Sequence, residues 1–103
     1  MKVKTVYISG PITGKDGYWR DFEKAEAEIR ARGCIAINPA KLPEGLSNAD
    51  YMRINFACID VADAVLLLPG WQYSAGASLE ARYCAYIAKP CTDSLDDIIN
   101  LEV

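Results

Sequence analysis

The sequence predicts an α/β protein built on one doubly wound parallel sheet of about four to five strands with helices on both faces. Three observations predict it. Strand-like and helix-like segments alternate along the whole chain, the pattern of a parallel sheet with crossover helices. The run Ala64-Val65-Leu66-Leu67-Leu68 is too apolar to have a wet side, as expected of a central parallel strand covered from above and below. No internal repeat and no low-complexity linker interrupts the order.

Each element has its own local signal. Val3 to Ser9 is β-branched and aromatic and stops at Gly10-Pro11, a pair that cannot continue a ladder. From Tyr18 to Arg32 the apolar positions Trp19, Phe22, Ala25, Ala27 and Ile29 recur among Glu, Lys and Arg, and Gly33 follows; this is a helix with a glycine stop. Cys34 to Asn38 is a short apolar run closed by Pro39, and Ala40 to Asn48 carries Pro43, Gly45 and Ser47, the punctuation of a loop. Ser47, Asn48 and Asp50 are acceptable helix caps, with Tyr51, Ile54, Cys58, Ile59 and Val61 behind them as the buried stripe of a second helix ending near Asp63. After the central strand, Pro69-Gly70 forces a stop. Ala75 to Ala88 reads as a third helix and Pro90 to Thr92 as a last strand. The closing segment, Asp93 to Val103, reads either as an arm that docks on a partner or as a frayed end.

Composition bounds the function. The 103 residues suit one domain over residues 1–103, and 51% apolar with 24% charged is an ordinary globular balance. The formal charge of −3 comes without any basic block, so long nucleic acid is not an expected partner. No stretch approaches the roughly 20 apolar residues that span a bilayer, and no signal-like apolar segment opens the chain; a soluble, cytoplasmic protein with no membrane partner is expected. The four cysteines, Cys34, Cys58, Cys84 and Cys91, show no C-x-x-C, and there is no histidine. They read as small buried hydrophobes rather than as a disulfide or a metal site. Lack of histidine also excludes Ser/His/Asp and Cys/His nucleophilic systems. Carboxylate, hydroxyl, lysine or phenol must carry any catalysis, and no cofactor is implied.

In a doubly wound sheet ligands sit beyond the carboxyl ends of the strands, which directs attention to three loops. Ser9-Gly10-Pro11-Ile12-Thr13-Gly14-Lys15 offers glycines and hydroxyls at the end of the first strand, either as an anion-binding turn or as an ordinary turn; its spacing matches no Walker or dinucleotide fingerprint. The loop from Asn38 to Leu46 follows the second strand. The third, Pro69-Gly70-Trp71-Gln72-Tyr73-Ser74-Ala75-Gly76-Ala77-Ser78-Leu79-Glu80, puts small residues where a helix begins. There the helix dipole would favour the charged form of Glu80 and suit it as a nucleophile; the same position also fits an acid that merely stabilises a helix start. Trp71 and Tyr73 are placed to stack on a planar base or to pack the loop. Asp60 and Asp63 share a helix face, and Asp63 reads as a cap or ion-pair partner at the far end of the sheet.

Taken together, Tyr7-Ile8-Ser9-Gly10-Pro11-Ile12-Thr13-Gly14, Ile37-Asn38-Pro39-Ala40, Ala62-Asp63-Ala64-Val65, and Leu68-Pro69-Gly70-Trp71 with Ser74-x-Gly76-x-x-x-Glu80 resemble the nucleoside 2-deoxyribosyltransferase-like superfamily. The likeness is to its small, often phage-encoded branch, and the last spacing is similar to that of the deoxynucleoside 5′-monophosphate N-glycosidases. The resemblance implies a Rossmann-like or flavodoxin-like fold and a small-molecule nucleoside or nucleotide partner. It implies Glu80 as nucleophile at C1′ and Tyr7 as its orienting partner. Ser9, Gly10, Pro11, Ile12, Thr13, Asn38, Ser74 and Gly76 would hold the ligand, and Trp71 would cover the base. It also implies a homodimer or higher homo-oligomer, because such pockets are usually completed by a neighbouring subunit. Where the characterised enzymes carry an aspartate on helix two, this chain has Asn55, and an amide donates no proton as an acid. Asp60 takes that part, or Asn55 only holds the ligand, or activity is reduced or absent. Pro11 and Thr13 replace further phosphate-binding side chains, with Lys15 as a possible compensation. Two other readings are a noncatalytic nucleotide-binding module and a phosphoribohydrolase of the lysine-decarboxylase-like type; Trp71 in place of that type's second glycine counts against the last.

Overall fold

The computed structural model describes residues 3–102. Its elements are β1 (Thr5–Ser9), α1 (Tyr18–Ala31), β2 (Ile35–Ile37), a single 3₁₀ turn at Pro39–Lys41, α2 (Asn48–Val61), β3 (Ala64–Leu67), a second 3₁₀ turn at Trp71–Tyr73, α3 (Ala75–Tyr86), β4 (Cys91–Thr92) and α4 (Leu95–Ile99). The four strands are parallel in the order β2-β1-β3-β4, the α/β architecture expected.

Strand alternation builds the two layers. Val6 and Ile8 of β1, with Ala64 and Leu66 of β3, face Phe22, Ala25 and Ile29 of α1 and Ile98 of α4. Tyr7, Val65 and Leu67 point the other way, onto Ile59 of α2 and Cys84 of α3. The connections leaving β1 and β3 therefore diverge to opposite faces, and this divergence opens a crevice beyond their carboxyl ends. Local chemistry starts the helices where they are needed: the hydroxyls of Ser47, Ser74 and Ser94 accept from the amides of Asp50, Ala77 and Asp97 at 3.1, 3.3 and 3.2 Å. Each satisfies a donor that the helix itself cannot.

Several expectations change. The closing segment is neither an arm nor a frayed end over its described part: it forms α4, whose Ile98 is wholly buried in the α1-side core. Five residues are too few to show periodicity, so its docking was invisible in the sequence; Val103 lies outside the described residues. In α2 the buried positions are Asn55 and Ile59, whereas Ile54 and Val61 are exposed. Trp19 is half-exposed and Ala27 exposed on α1, because only the stripe through Phe22, Ala25 and Ile29 meets the sheet. Of the cysteines only Cys84 is fully buried, while Cys34, Cys58 and Cys91 are partly covered and all four are free. Asp63 accepts the Thr5 amide at 2.8 Å, a structural part at the amino end of the sheet. Among the described residues no helix is long and apolar enough to cross a membrane.

At the crevice the chain passes close to itself. Leu68 N donates to Ser9 O at 2.8 Å, and a Cβ on Gly10 would meet Leu68 Cβ at 2.8 Å. At Gly76, by contrast, a Cβ would meet nothing nearer than Met52 Cε at 3.9 Å. Gly10→Ala is expected to cost about 1–3 kcal/mol through overpacking, and Gly76→Ala to leave stability unchanged or slightly raised; urea denaturation of the two variants checks the contrast.

Candidate active site

Tyr7 and Ser9 are two residues apart on β1 and so share the face covered by α2 and α3. Above them the carboxylate of Glu80, from α3, receives three hydrogen bonds. Tyr7 Oη and Ser9 Oγ donate to Oε1 at 3.1 and 2.7 Å, and Asn55 Nδ2, from α2, donates to Oε2 at 3.1 Å. All four residues are buried, with Glu80 only 4% exposed. Among the described residues no cation is bonded to this carboxylate.

Burial pushes the Glu80 carboxyl above its ordinary 4.5, with the bonds from Ser9, Tyr7 and Asn55 pulling it back. This corrects the expectation that the helix dipole holds it charged. Glu80 is the sixth residue of α3, beyond the first turn where the dipole acts strongly, so desolvation decides the direction and side-chain donors oppose it. Burial and the adjacent Glu80 charge push the Tyr7 phenol far up, so Tyr7 keeps its proton and serves as a permanent donor.

These groups form one wall of a cavity of about 740 Å³, within the range of small-molecule sites. Of the residues expected to hold a ligand, Ser9, Gly10, Ile12 and Thr13 border it at the end of β1, and Ser74 and Gly76 border it at the start of α3. Four candidates are not on its wall. Asp60 faces out and accepts from Tyr83 Oη at 2.5 Å, so it does not replace an acid. Asn38 caps Ala40 N at 2.9 Å and donates to Glu26 at 3.2 Å, holding the turn after β2. Trp71 packs against the core around Tyr7, Ile59 and Cys84, and Pro11 lies against Gly70, whose left-handed φ of 86° turns the chain there. The aromatic at the rim is instead Tyr73, which lines the cavity and is 90% exposed.

Tyr51, Met52 and Glu44 also line the cavity; the sequence marked Tyr51 only as part of the buried stripe of α2, and Met52 and Glu44 not at all. Tyr51 lies four residues before Asn55, one helical turn away on the same face, a spacing that could have found it. Glu44 had no signal beyond its place in the loop after β2.

This is the fold of the nucleoside 2-deoxyribosyltransferases. The solved 2-deoxyribosyltransferase from the psychrotolerant bacterium Bacillus psychrosaccharolyticus superposes with a TM-score of 0.69 over 95% of this chain and 92% of that one, at 16% sequence identity. The chain belongs to the family of the domain of unknown function DUF4406, which matches residues 4–93. No curated protein matches the sequence.

A raised carboxyl also affects stability. As pH rises, the unfolded chain gives up this proton first, so the folded state loses stability between the unfolded carboxylate value and the higher folded one. Glu80→Gln keeps the shape without the charge. Turning the Asn55 amide over would present Oδ1, a buried oxygen with no partner, to the new amide. Glu80→Gln is expected to be more stable than the wild type at pH 7 by on the order of 1 kcal/mol. The gap should narrow as pH falls to 4.5 and below, as read from melting curves across pH.

Proposed function

We propose that the protein cleaves or transfers at the N-glycosidic bond of a 2′-deoxynucleoside or its 5′-monophosphate, through a covalent deoxyribosyl ester on Glu80. One observation carries the proposal: a buried carboxylate, held by three neutral donors and bonded to no cation among the described residues, borders a cavity of about 740 Å³. A carboxylate so placed is desolvated and fixed in direction, as a nucleophile requires.

Glu80 attacks C1′ and the C1′–N bond breaks with its electron pair leaving on the base, which takes a proton from solvent. Charge develops on the sugar as the bond lengthens, and the carboxylate stabilises it before closing the ester. Water, or a second base, then attacks C1′, loses a proton to solvent and releases the Glu80 carboxylate. Two inversions leave the configuration retained. Tyr7 and Ser9 hold Oε1 and Asn55 holds Oε2, so the attacking group cannot swing. Asn55 positions the nucleophile, and α2 supplies no acid at this place.

Incubation with each deoxynucleoside and each 5′-monophosphate, followed by chromatography for free base, tests the proposal. Base release is expected, together with exchange when a second nucleobase is added. Glu80→Gln should abolish both, and Tyr7→Phe should lower the rate roughly ten- to a hundredfold through lost orientation. Tight binding without any release by the wild type would instead make the protein a noncatalytic nucleotide-binding module.

A further inference from the structure

The charge around the cavity selects between the two substrate forms. The charged residues on its wall are Glu80 at the base and Glu44 in the loop after β2; no Lys or Arg lines it among the described residues. Three cations of the flanking segments are ion-paired: Lys15 with Asp21 at 2.8 Å, Lys41 with Glu26 at 3.0 Å and Arg53 with Asp50 at 3.0 Å. Lys15, the residue nominated to hold a phosphate, is thus paired and off the wall. The Ser9 hydroxyl at the base of the cavity is committed as well, since it donates to Glu80.

Glu44 is exposed, forms no ion pair among the described residues, and is kept at the rim by Tyr51. The phenol of Tyr51 donates to Pro43 O at 2.5 Å and accepts from Leu46 N at 3.3 Å, clamping the loop on both sides of Glu44. A phosphate ester carrying close to two negative charges would enter past one carboxylate toward another, with no Lys or Arg on the wall among the described residues. A neutral sugar hydroxyl meets no such repulsion.

We propose that the site takes the unphosphorylated deoxynucleoside and rejects its 5′-monophosphate, with Glu44 as the residue that sets the discrimination. This rests on the N-glycosidic reading, and binding and base release are therefore measured separately. Each of the four deoxynucleosides and its monophosphate is titrated calorimetrically into the wild type, Glu44→Gln and Glu44→Lys at low and high salt, with free base followed by chromatography.

The wild type should bind the best nucleoside at least about tenfold more tightly than its monophosphate. High salt should narrow that ratio by screening the repulsion. Glu44→Gln should reduce it severalfold, and Glu44→Lys should abolish or invert it, chiefly by tightening monophosphate binding. A wild type that binds the monophosphate as well as the nucleoside, or a ratio untouched by both substitutions, overturns the inference. Base release from monophosphates alone would defeat it while leaving the N-glycosidic reading standing. Preferential nucleoside binding without release would support it while defeating catalysis, and failure to bind either form would end both.

Discussion

Removing a carboxylate from water is costly, and the Glu80 side chain is kept there by donors from two other elements of the fold. Tyr7 and Ser9 come from β1 and Asn55 from α2. An arginine or lysine would neutralise the charge more strongly and would also hold it away from an electrophile. Three neutral donors do less. They fix both oxygens in place and leave part of the desolvation uncompensated, which is why burial still pushes the carboxyl up. Positioning without neutralisation is the constraint on which the surrounding architecture depends.

Meeting that constraint accounts for the crowding at the carboxyl ends of β1 and β3. Tyr7 and Ser9 must both face α3, so β1 has to remain regular to its last residue, and Ser9 pairs in register with Leu67. Past that point Gly10 lets the two strand ends stay in contact at Leu68. The serine cap at Ser74 starts α3 at a fixed place, and the sixth residue of the helix then carries Glu80 to the two hydroxyls. A shift of one residue in either element would turn a donor or the carboxylate away from the cavity.

Asn55 shows what an amide does beside a buried carboxylate. A second carboxylate 3.1 Å from Glu80 would repel it and raise one of the two pKa values further. The amide donates to Oε2 and leaves its own oxygen buried without a partner. That unsatisfied oxygen costs stability, so the hold on Glu80 is obtained at the expense of a buried polar atom of Asn55.

The alternation of strand and helix, the buried central strand and the glycine-rich strand ends were legible in the linear pattern, because each reflects local backbone preference or a repeat of two or about four residues. The motifs that carry the family resemblance also named Glu80 and Tyr7, which the structure brings into hydrogen-bond contact. Long-range packing decided the rest. Asp60 follows Asn55 by five residues, about 140° round a helix that turns about 100° per residue; once Asn55 faces the cavity, Asp60 must face out, where it meets Tyr83. Trp71 and Tyr73 occupy one short turn, and only the packing of α2 and α3 sends the first to the core and the second to the rim. The docking of Ile98, the clamp of Tyr51 on the Glu44 loop and the desolvation of Glu80 depend on residues distant in sequence. Local pattern identifies which groups are chemically capable; burial and orientation, which set their protonation and reach, exist only once the chain has closed on itself.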